Sequence, residues 1–213
     1  FMFAEALASY LGLRPKTALH MVQGGTTPAN SVGIAAALIT AGLVDNVLIA
    51  FASSQMSELD RDDVLARQAA DGSPYEAPWG MLAATSYGML AQRHMHDYGT
   101  TSEQMARFAV VCRNHALLHP NAQMKTPITV VDVLASRMIS SPFHLLDICL
   151  IGDGGCAVVV SSAGSARRYN PQPAYVLGYG EHHHRGTVTR MGGDATTSGQ
   201  EVSGASAFKM AGL

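Results

Sequence analysis

The chain has 213 residues, 47% of them hydrophobic and only 14% charged, and its formal net charge is −2. Intrinsic disorder is excluded by the high apolar content, and the 14 Lys and Arg residues are too scattered for a general nucleic-acid binder. No apolar run approaches the roughly 20 residues that cross a bilayer, so we expect neither a membrane span nor a signal peptide. Three cysteines are too few for a disulfide framework, so we expect a protein of the reducing cytoplasm.

Helical patterns alternate with continuous apolar runs along the chain. Predicted helices cover residues 3–11, 29–43, 79–98 and 102–118, the last of these capped by Thr101 or Ser102. A further short helix is opened by a capping box at Thr129 and Asp132, and another ends just before Gly212. Apolar runs at 47–52, 156–162 and 174–179 predict strands buried on both faces, and 163–173 is expected to be a basic connector. This order predicts an α/β protein with a layered sheet.

Both ends of the sequence run directly into helical patterns. We therefore expect these residues to be the middle of a longer chain. The mean hydropathy of +0.12 predicts that much of the surface is covered by further parts of the chain or by another subunit.

Residues 23–28 form a glycine-rich turn that leads into a nearly apolar helix. Backbone N–H groups and the positive end of the helix dipole favour an anion or a developing oxyanion at such a position. A tight turn that needs positive φ is the alternative interpretation. No dinucleotide-binding or phosphate-loop glycine motif is present, so those functions have no support.

The densest polar cluster is at residues 181–185, with three consecutive histidines. Neighbouring side chains of an extended segment alternate in direction, so at most two of these histidines can reach one metal ion. A solvated loop is the favoured interpretation, a ligand-facing histidine is the alternative, and no metal site is predicted. Tyr179 precedes the cluster at the end of a predicted strand, where side chains often project into a site.

Asp153 and the cysteines have structural interpretations. Asp153 lies in a glycine-rich turn, where an aspartate bonds neighbouring N–H groups. Cys156 begins an apolar strand and is predicted to be an inert buried thiol. Cys149 has no nearby partner that would lower its pKa, so a structural role is favoured for it as well.

Six short stretches occur in the order found in one known family: residues 24–28 with the small-residue helix after them, 41–48, 98–104, 114–122, 146–155 and 176–180. Together they resemble the thiolase superfamily, and within it the sterol-carrier-protein-type, thiolase-like branch. The resemblance implies a layered αβαβα fold of two similar halves, normally about twice this length and dimeric. Residues 1–52 would belong to the first half, 53–150 to a helical loop insertion, 151–168 to the last strand of the first half and 169–213 to the start of the second half.

The sequence departs from true thiolases at the nucleophile. Those enzymes carry a cysteine where the small-residue helix begins, and here Gly25 falls at or next to that position. Without a thiolate there is no acyl-enzyme. The resemblance is then to thiolase-like aldolases that release a short acyl-CoA from a 3-hydroxyacyl-CoA steroid side chain, with Gly24, Gly25 and Thr26 implied as oxyanion- and substrate-binding residues.

The same resemblance implies three further site residues. Tyr179 would be an acid/base group, because tyrosines take that role in these aldolases. A phenol of ordinary pKa, about 10, needs help from its surroundings to act as a base, and His182 is a candidate for that help. Ser203 and Gly204 would lie in the loop that contacts the pantetheine of CoA. Coenzyme A is then part of the substrate, and no other cofactor is expected.

Three functions are compatible with the sequence. The first is C–C bond cleavage or formation on an acyl-CoA in lipid or steroid degradation. The alternatives are a non-catalytic subunit that binds acyl-CoA and an acyltransferase of the acetyl-CoA acetyltransferase kind. The resemblance implies two partners, a second copy of the chain and a small acyl-CoA-binding protein with an OB-fold and a zinc ribbon. No nucleic acid or membrane partner is expected.

Overall fold

The computed structural model describes residues 3–60, 62–63, 66, 74–80, 82–183, 195 and 197–213. In chain order the elements are α1 (Phe3–Tyr10), α2 (Thr27–Thr40), β1 (Asn46–Ser53), α3 (Gln55–Glu58), α4 (Ala83–Tyr98), α5 (Ser102–Leu118), α6 (Val130–Ala135), β2 (Met138–Ser140), β3 (Phe143–His144), β4 (Gly154–Ser161), α7 (Ala163–Tyr169) and α8 (Gln200–Ala211), with 3-10 turns at Ala77–Trp79 and Leu145–Asp147.

The chain divides into two compact units. One contains residues 1–53, 154–182 and 199–213, and the other contains 54–153 and 183–198. In the part of the chain that the structure describes, no helix is both long enough and apolar enough to cross a membrane.

Helix α2 is confirmed, although it begins at Thr27 and ends at Thr40, slightly before the predicted bounds of 29 and 43. Pro28 lies in the first turn, where a missing backbone N–H removes no helical hydrogen bond. Beyond the last turn Gly42 adopts a φ of +71°, and its N–H donates to the carbonyl of Ile39 at 3.0 Å. Glycine takes this left-handed conformation without a steric penalty, so α2 ends there.

Strands β1 and β4 pair antiparallel along their whole length, and α2 packs against both. The two strands were predicted, but their burial on both faces is wrong for the described residues: Leu48 and Phe51 are each 45% exposed and Val159 is 63% exposed. An apolar run predicts a strand with two apolar faces, each of which packs against another element. The run itself does not specify which elements pack there, because they are determined by residues distant in sequence.

Residues 163–179 differ from the prediction in two ways. The expected connector contains helix α7, whose last turn carries Arg167 and Arg168, where cations are favoured by the helix dipole. The expected strand at 174–179 forms no ladder with the described residues and has no regular secondary structure. It packs on α8: a Cβ placed on Gly178 would lie 2.1 Å from the carbonyl oxygen of Ala207.

The second unit is mainly helical. Helix α4 starts at Ala83, later than predicted, because the preceding 3-10 turn ends at Gly80 with a φ of +67°. Helix α4 packs on β2, and α5 packs on α6. The carboxylate of Asp153 accepts hydrogen bonds from the hydroxyl of Ser57 and from the N–H of Met56 (2.7 Å), which are distant in sequence, and not from the neighbouring N–H groups that were predicted. These hydrogen bonds lower the pKa of Asp153.

Capping boxes begin α5 and α6. The N–H of Gln104 donates to the Thr101 hydroxyl at 3.3 Å, and the Gln104 side chain accepts from the Thr101 N–H at 2.9 Å. Thr129 and Asp132 make the same reciprocal pair, and the hydrogen bonds from Thr129 lower the pKa of Asp132. The caps predicted from sequence are confirmed.

Thr101→Ala is expected to destabilise the helical unit by about 1 kcal/mol, because it removes the acceptor for one orphan N–H of α5. Thermal unfolding monitored by circular dichroism should show a melting temperature lower by about 2–4 °C. Thr100→Ala is the matched control, since Thr100 takes no part in the box. Equal melting temperatures for the two variants would refute a stabilising role for the cap.

Candidate functional site

The site begins at the turn in front of α2. Gly24 has a φ of +59°, and its carbonyl accepts from the Thr27 hydroxyl at 2.8 Å. That hydroxyl also accepts from the N–H of Gln23 at 2.8 Å, and the Thr26 hydroxyl donates to the Gln23 carbonyl at 2.8 Å. These bonds fix Gly24, Gly25 and Thr26 at the positive end of the helix dipole, a position that favours negative charge.

The Glu181 carboxylate lies beside this turn. Its Oε1 accepts from Nδ2 of Asn30 at 2.8 Å and from Nε2 of Gln23 at 3.3 Å. The same Nδ2 also donates to Oε1 of Gln23 at 2.6 Å. Asn30 is only 6% exposed, so these hydrogen bonds hold a buried amide in one orientation.

Tyr179 completes the cluster. Its hydroxyl donates a hydrogen bond to Oε2 of Glu181. Its ring lies against α2 at Gly33, where an added Cβ would be 2.4 Å from Cε2 of the ring. Because glycine leaves that space empty, the half-buried ring can rest on the helix backbone.

Burial, the hydrogen bond to Glu181 and the charge of that carboxylate, in that order of size, together raise the pKa of Tyr179 to about 12. The phenol is therefore neutral at physiological pH and donates its proton towards the carboxylate. A neutral phenol beside a carboxylate can protonate a developing anion. It can also pass on a proton that it receives.

The structure places the other predicted acid/base residue differently. His182 is exposed and lies against the start of α8, with its Cδ2 2.9 Å from where a Cβ of Gly199 would be. The Tyr179 hydroxyl donates to Glu181, so the assisting role of His182 stays a prediction. His184 lies outside the described residues, and among those described no group of three His, Cys, Asp or Glu side chains could hold a metal ion.

Ser203 and Gly204 lie inside α8 rather than in the loop that was expected. The Ser203 hydroxyl donates to the carbonyl of Gln200 at 3.3 Å, and the space over Gly204 is open. The backbone carbonyl of Ser203 approaches Gly180, so α8 holds the segment that carries Tyr179. The role of Ser203 and Gly204 in CoA binding stays a prediction.

Sequence reasoning missed Glu181, Asn30 and Gly33 as members of the site. Glu181 had a usable signal, because residues two apart on an extended segment point to the same side and Tyr179 was already a candidate. Asn30 and Gly33 are three apart on α2 and share a helix face, but nothing local identifies that face as the one that meets residue 179.

Two curated relatives match most of the chain. An acetyl-CoA acetyltransferase of Methanothermobacter thermautotrophicus is 33% identical over 207 residues, covering 89% of this chain and 52% of the relative. A steroid side-chain-cleaving aldolase of Thermomonospora curvata is 37% identical over 163 residues, covering 73% of this chain and 42% of the relative. The chain thus spans about half the length of the curated relatives it matches. No protein-family model matches the chain.

Two solved structures share the fold. The Ltp2-ChsH2(DUF35) aldolase superposes with a TM-score of 0.71 at 31% identity, over 89% of this chain and 50% of that one. A monomeric SCP2-thiolase-like protein of Mycobacterium smegmatis gives 0.70 at 21% identity, over 100% of this chain and 46% of that one. The fold is therefore the predicted thiolase-like α/β fold. Together with the relatives, it confirms that the chain belongs to the thiolase superfamily, in its sterol-carrier-protein-type, thiolase-like branch.

Proposed function

We propose that the protein cleaves or forms a C–C bond on a 3-hydroxyacyl-CoA by retro-aldol chemistry without an acyl-enzyme, in lipid or steroid degradation. The observation that carries the proposal is the hydrogen-bonded pair of Tyr179 and Glu181, tied through Asn30 and Gln23 to the turn in front of α2. An acid/base group and an oxyanion-favouring helix end then lie in one site.

The residue at the start of α2 supports a non-covalent reaction. Gly25 falls at or next to the position where thiolases of the superfamily carry their cysteine, and no cysteine occurs in residues 1–111. Retro-aldol cleavage needs a base for the hydroxyl proton and hydrogen-bond donors for the thioester enolate, but no nucleophile. In the proposal the turn at Gly24, Gly25 and Thr26 supplies the hydrogen-bond donors for the enolate oxygen, and Tyr179 takes the hydroxyl proton.

Incubation of the full chain with a 3-hydroxyacyl-CoA tests the proposal. We expect a carbonyl product and a shorter acyl-CoA by liquid chromatography, with the intact protein mass unchanged. A variant with all three exposed cysteines replaced by serine should retain the wild-type kcat. An acyl adduct on the wild-type protein, together with loss of turnover in that variant, would instead indicate a thiolase-type acyltransferase.

A non-catalytic acyl-CoA-binding subunit is the second candidate. The large exposed apolar side chains on β1 and β4 favour it, because such surfaces often pack against other chains. Under either function we propose a homodimer and a small OB-fold, zinc-ribbon partner, and one solved neighbour is an aldolase whose name includes a DUF35 component. Binding of acyl-CoA without turnover of any 3-hydroxyacyl-CoA would favour the subunit over the enzyme.

A further inference from the structure

We propose that Glu181 is the proton acceptor of the site and that it acts through the Tyr179 hydroxyl as a two-residue relay. The inference rests on the proposed retro-aldol function and assigns to it a residue that has no role in the family resemblance. Glu181 accepts the Tyr179 hydrogen bond through Oε2 and the amide hydrogen bonds of Asn30 and Gln23 through Oε1. Oε2 of Glu181 therefore faces the Tyr179 hydroxyl, and Oε1 faces the side-chain amides of Asn30 and Gln23.

The surroundings keep this carboxylate in place without giving it a cationic partner from α2. Asn30 and Gln23 are neutral donors, and the sequence of α2 contains no charged or titratable residue. The titratable residues of α8, which packs on the same segment, are Glu201 and Lys209, and His182 follows Glu181 directly. The hydrogen bonds from Asn30 and Gln23 come from neutral amides, and a neutral donor lowers the proton affinity of a carboxylate less than a cation does.

A lone phenol would be a poor base here. With a pKa of about 12, on the order of one Tyr179 in 10⁴ or fewer would be ionised at pH 7.5. A carboxylate that takes the phenol proton as the phenol takes the substrate proton removes the need for a phenolate. Tyr179 is then the group that touches substrate, and Glu181 is the positioning and accepting residue behind it.

The proton and electron balance closes without any further reactant. The substrate O–H breaks as a Tyr179 O–H forms, and the former Tyr179 proton moves to Oε2 of Glu181. The C–C bond breaks, its electron pair enters the thioester enolate, and the hydroxyl carbon becomes a carbonyl. The proton on Glu181 returns through Tyr179 to the enolate carbon, which restores the carboxylate and releases the shorter acyl-CoA.

Glu181→Gln tests the relay, because the amide keeps the shape and can bond Tyr179 but cannot accept its proton. We expect kcat at pH 7.5 to fall by about 10²-fold or more with KM changed less than about threefold. We also expect the remaining rate to rise about tenfold per pH unit from pH 7 to 9, since it would depend on the rare phenolate. The wild-type rate should vary less than about threefold over that range. Glu5→Gln, an exposed carboxylate of α1, is the matched control and should leave kcat and its pH profile unchanged.

A second measurement is independent of turnover. Phenolate absorbance at high pH, taken as the difference from a Tyr179→Phe background, reports the ionisation of Tyr179 alone. We expect little phenolate from Tyr179 at pH 10.5 in the wild type and more in Glu181→Gln, because the variant loses the carboxylate charge that helps to raise the pKa of Tyr179 but keeps the burial that raises it most.

Each outcome decides between the two proposals. Glu181→Gln with a kcat within about threefold of wild type and a flat pH profile overturns the relay and leaves the retro-aldol function standing. An unchanged phenolate signal in Glu181→Gln overturns the relay as well. A wild-type protein that cleaves no 3-hydroxyacyl-CoA overturns the function itself.

Discussion

Gly33→Ala is expected to lower kcat by about 10²-fold or more, although residue 33 touches no part of the proposed reaction. The new Cβ would lie 2.4 Å from Cε2 of Tyr179 and 2.5 Å from two further ring atoms, so the ring must move. Displacing a reacting group by about 1 Å costs on the order of 10²-fold in rate. Steady-state kinetics with a 3-hydroxyacyl-CoA should place the loss in kcat rather than in KM.

Gly164→Ala in α7 is the matched control for this variant. A Cβ at Gly164 meets no atom within 4 Å, so the change has the helix-favouring effect of alanine without a clash. Alanine is favoured over glycine within helices by about 1 kcal/mol, and overpacking costs about 1–3 kcal/mol. Gly164→Ala should therefore be neutral or slightly stabilising with full activity. If Gly33→Ala matches it in kcat, the contact between Tyr179 and α2 does not matter for turnover.

The elements that could be predicted from sequence are those fixed by nearby residues. Pro28 and Gly42 bound α2, and the capping residues Thr101 and Thr129 begin α5 and α6. Each of these signals acts within a few residues of the chain, so a single sequence contains all of the necessary information.

The elements that were predicted wrongly depend on distant residues. The run 174–179 is as apolar as a strand, but a strand also needs a partner, and this segment packs instead on α8 through glycines. Pairing and packing partners lie far away in sequence, so local pattern cannot supply them.

The candidate site also contains some residues that could be predicted from local sequence and others that could not. The turn at residues 24–26 and Tyr179 were identified as local features or by family resemblance. The pairing of Glu181 with Asn30 joins residues 151 positions apart, and no periodicity predicts it. His182 was predicted to assist Tyr179, yet Glu181, the residue before it, accepts the hydrogen bond from the Tyr179 hydroxyl.

Gly180→Ala is expected to destabilise the first unit strongly, because it would push α8 away from the segment that carries the site. The added Cβ would lie 1.9 Å from the carbonyl oxygen of Ser203 and 2.9 Å from the backbone nitrogen of Ala207. These are backbone atoms of a helix, so no change of side-chain rotamer relieves the clash. Overpacking of this kind costs about 3 kcal/mol, which for a chain of this size lowers the melting temperature by about 6–12 °C.

Gly204→Ala separates this effect from the general effect of alanine in α8. Nothing lies within 4 Å of a Cβ at Gly204, so its melting temperature should equal or exceed that of the wild type, whereas Gly178→Ala should resemble Gly180→Ala. Differential scanning calorimetry of the three variants measures the contrast. Because Gly180 stands between Tyr179 and Glu181, a wild-type melting temperature for Gly180→Ala would mean that α8 does not hold the relay in place. The positions of both residues would then depend on α2 alone.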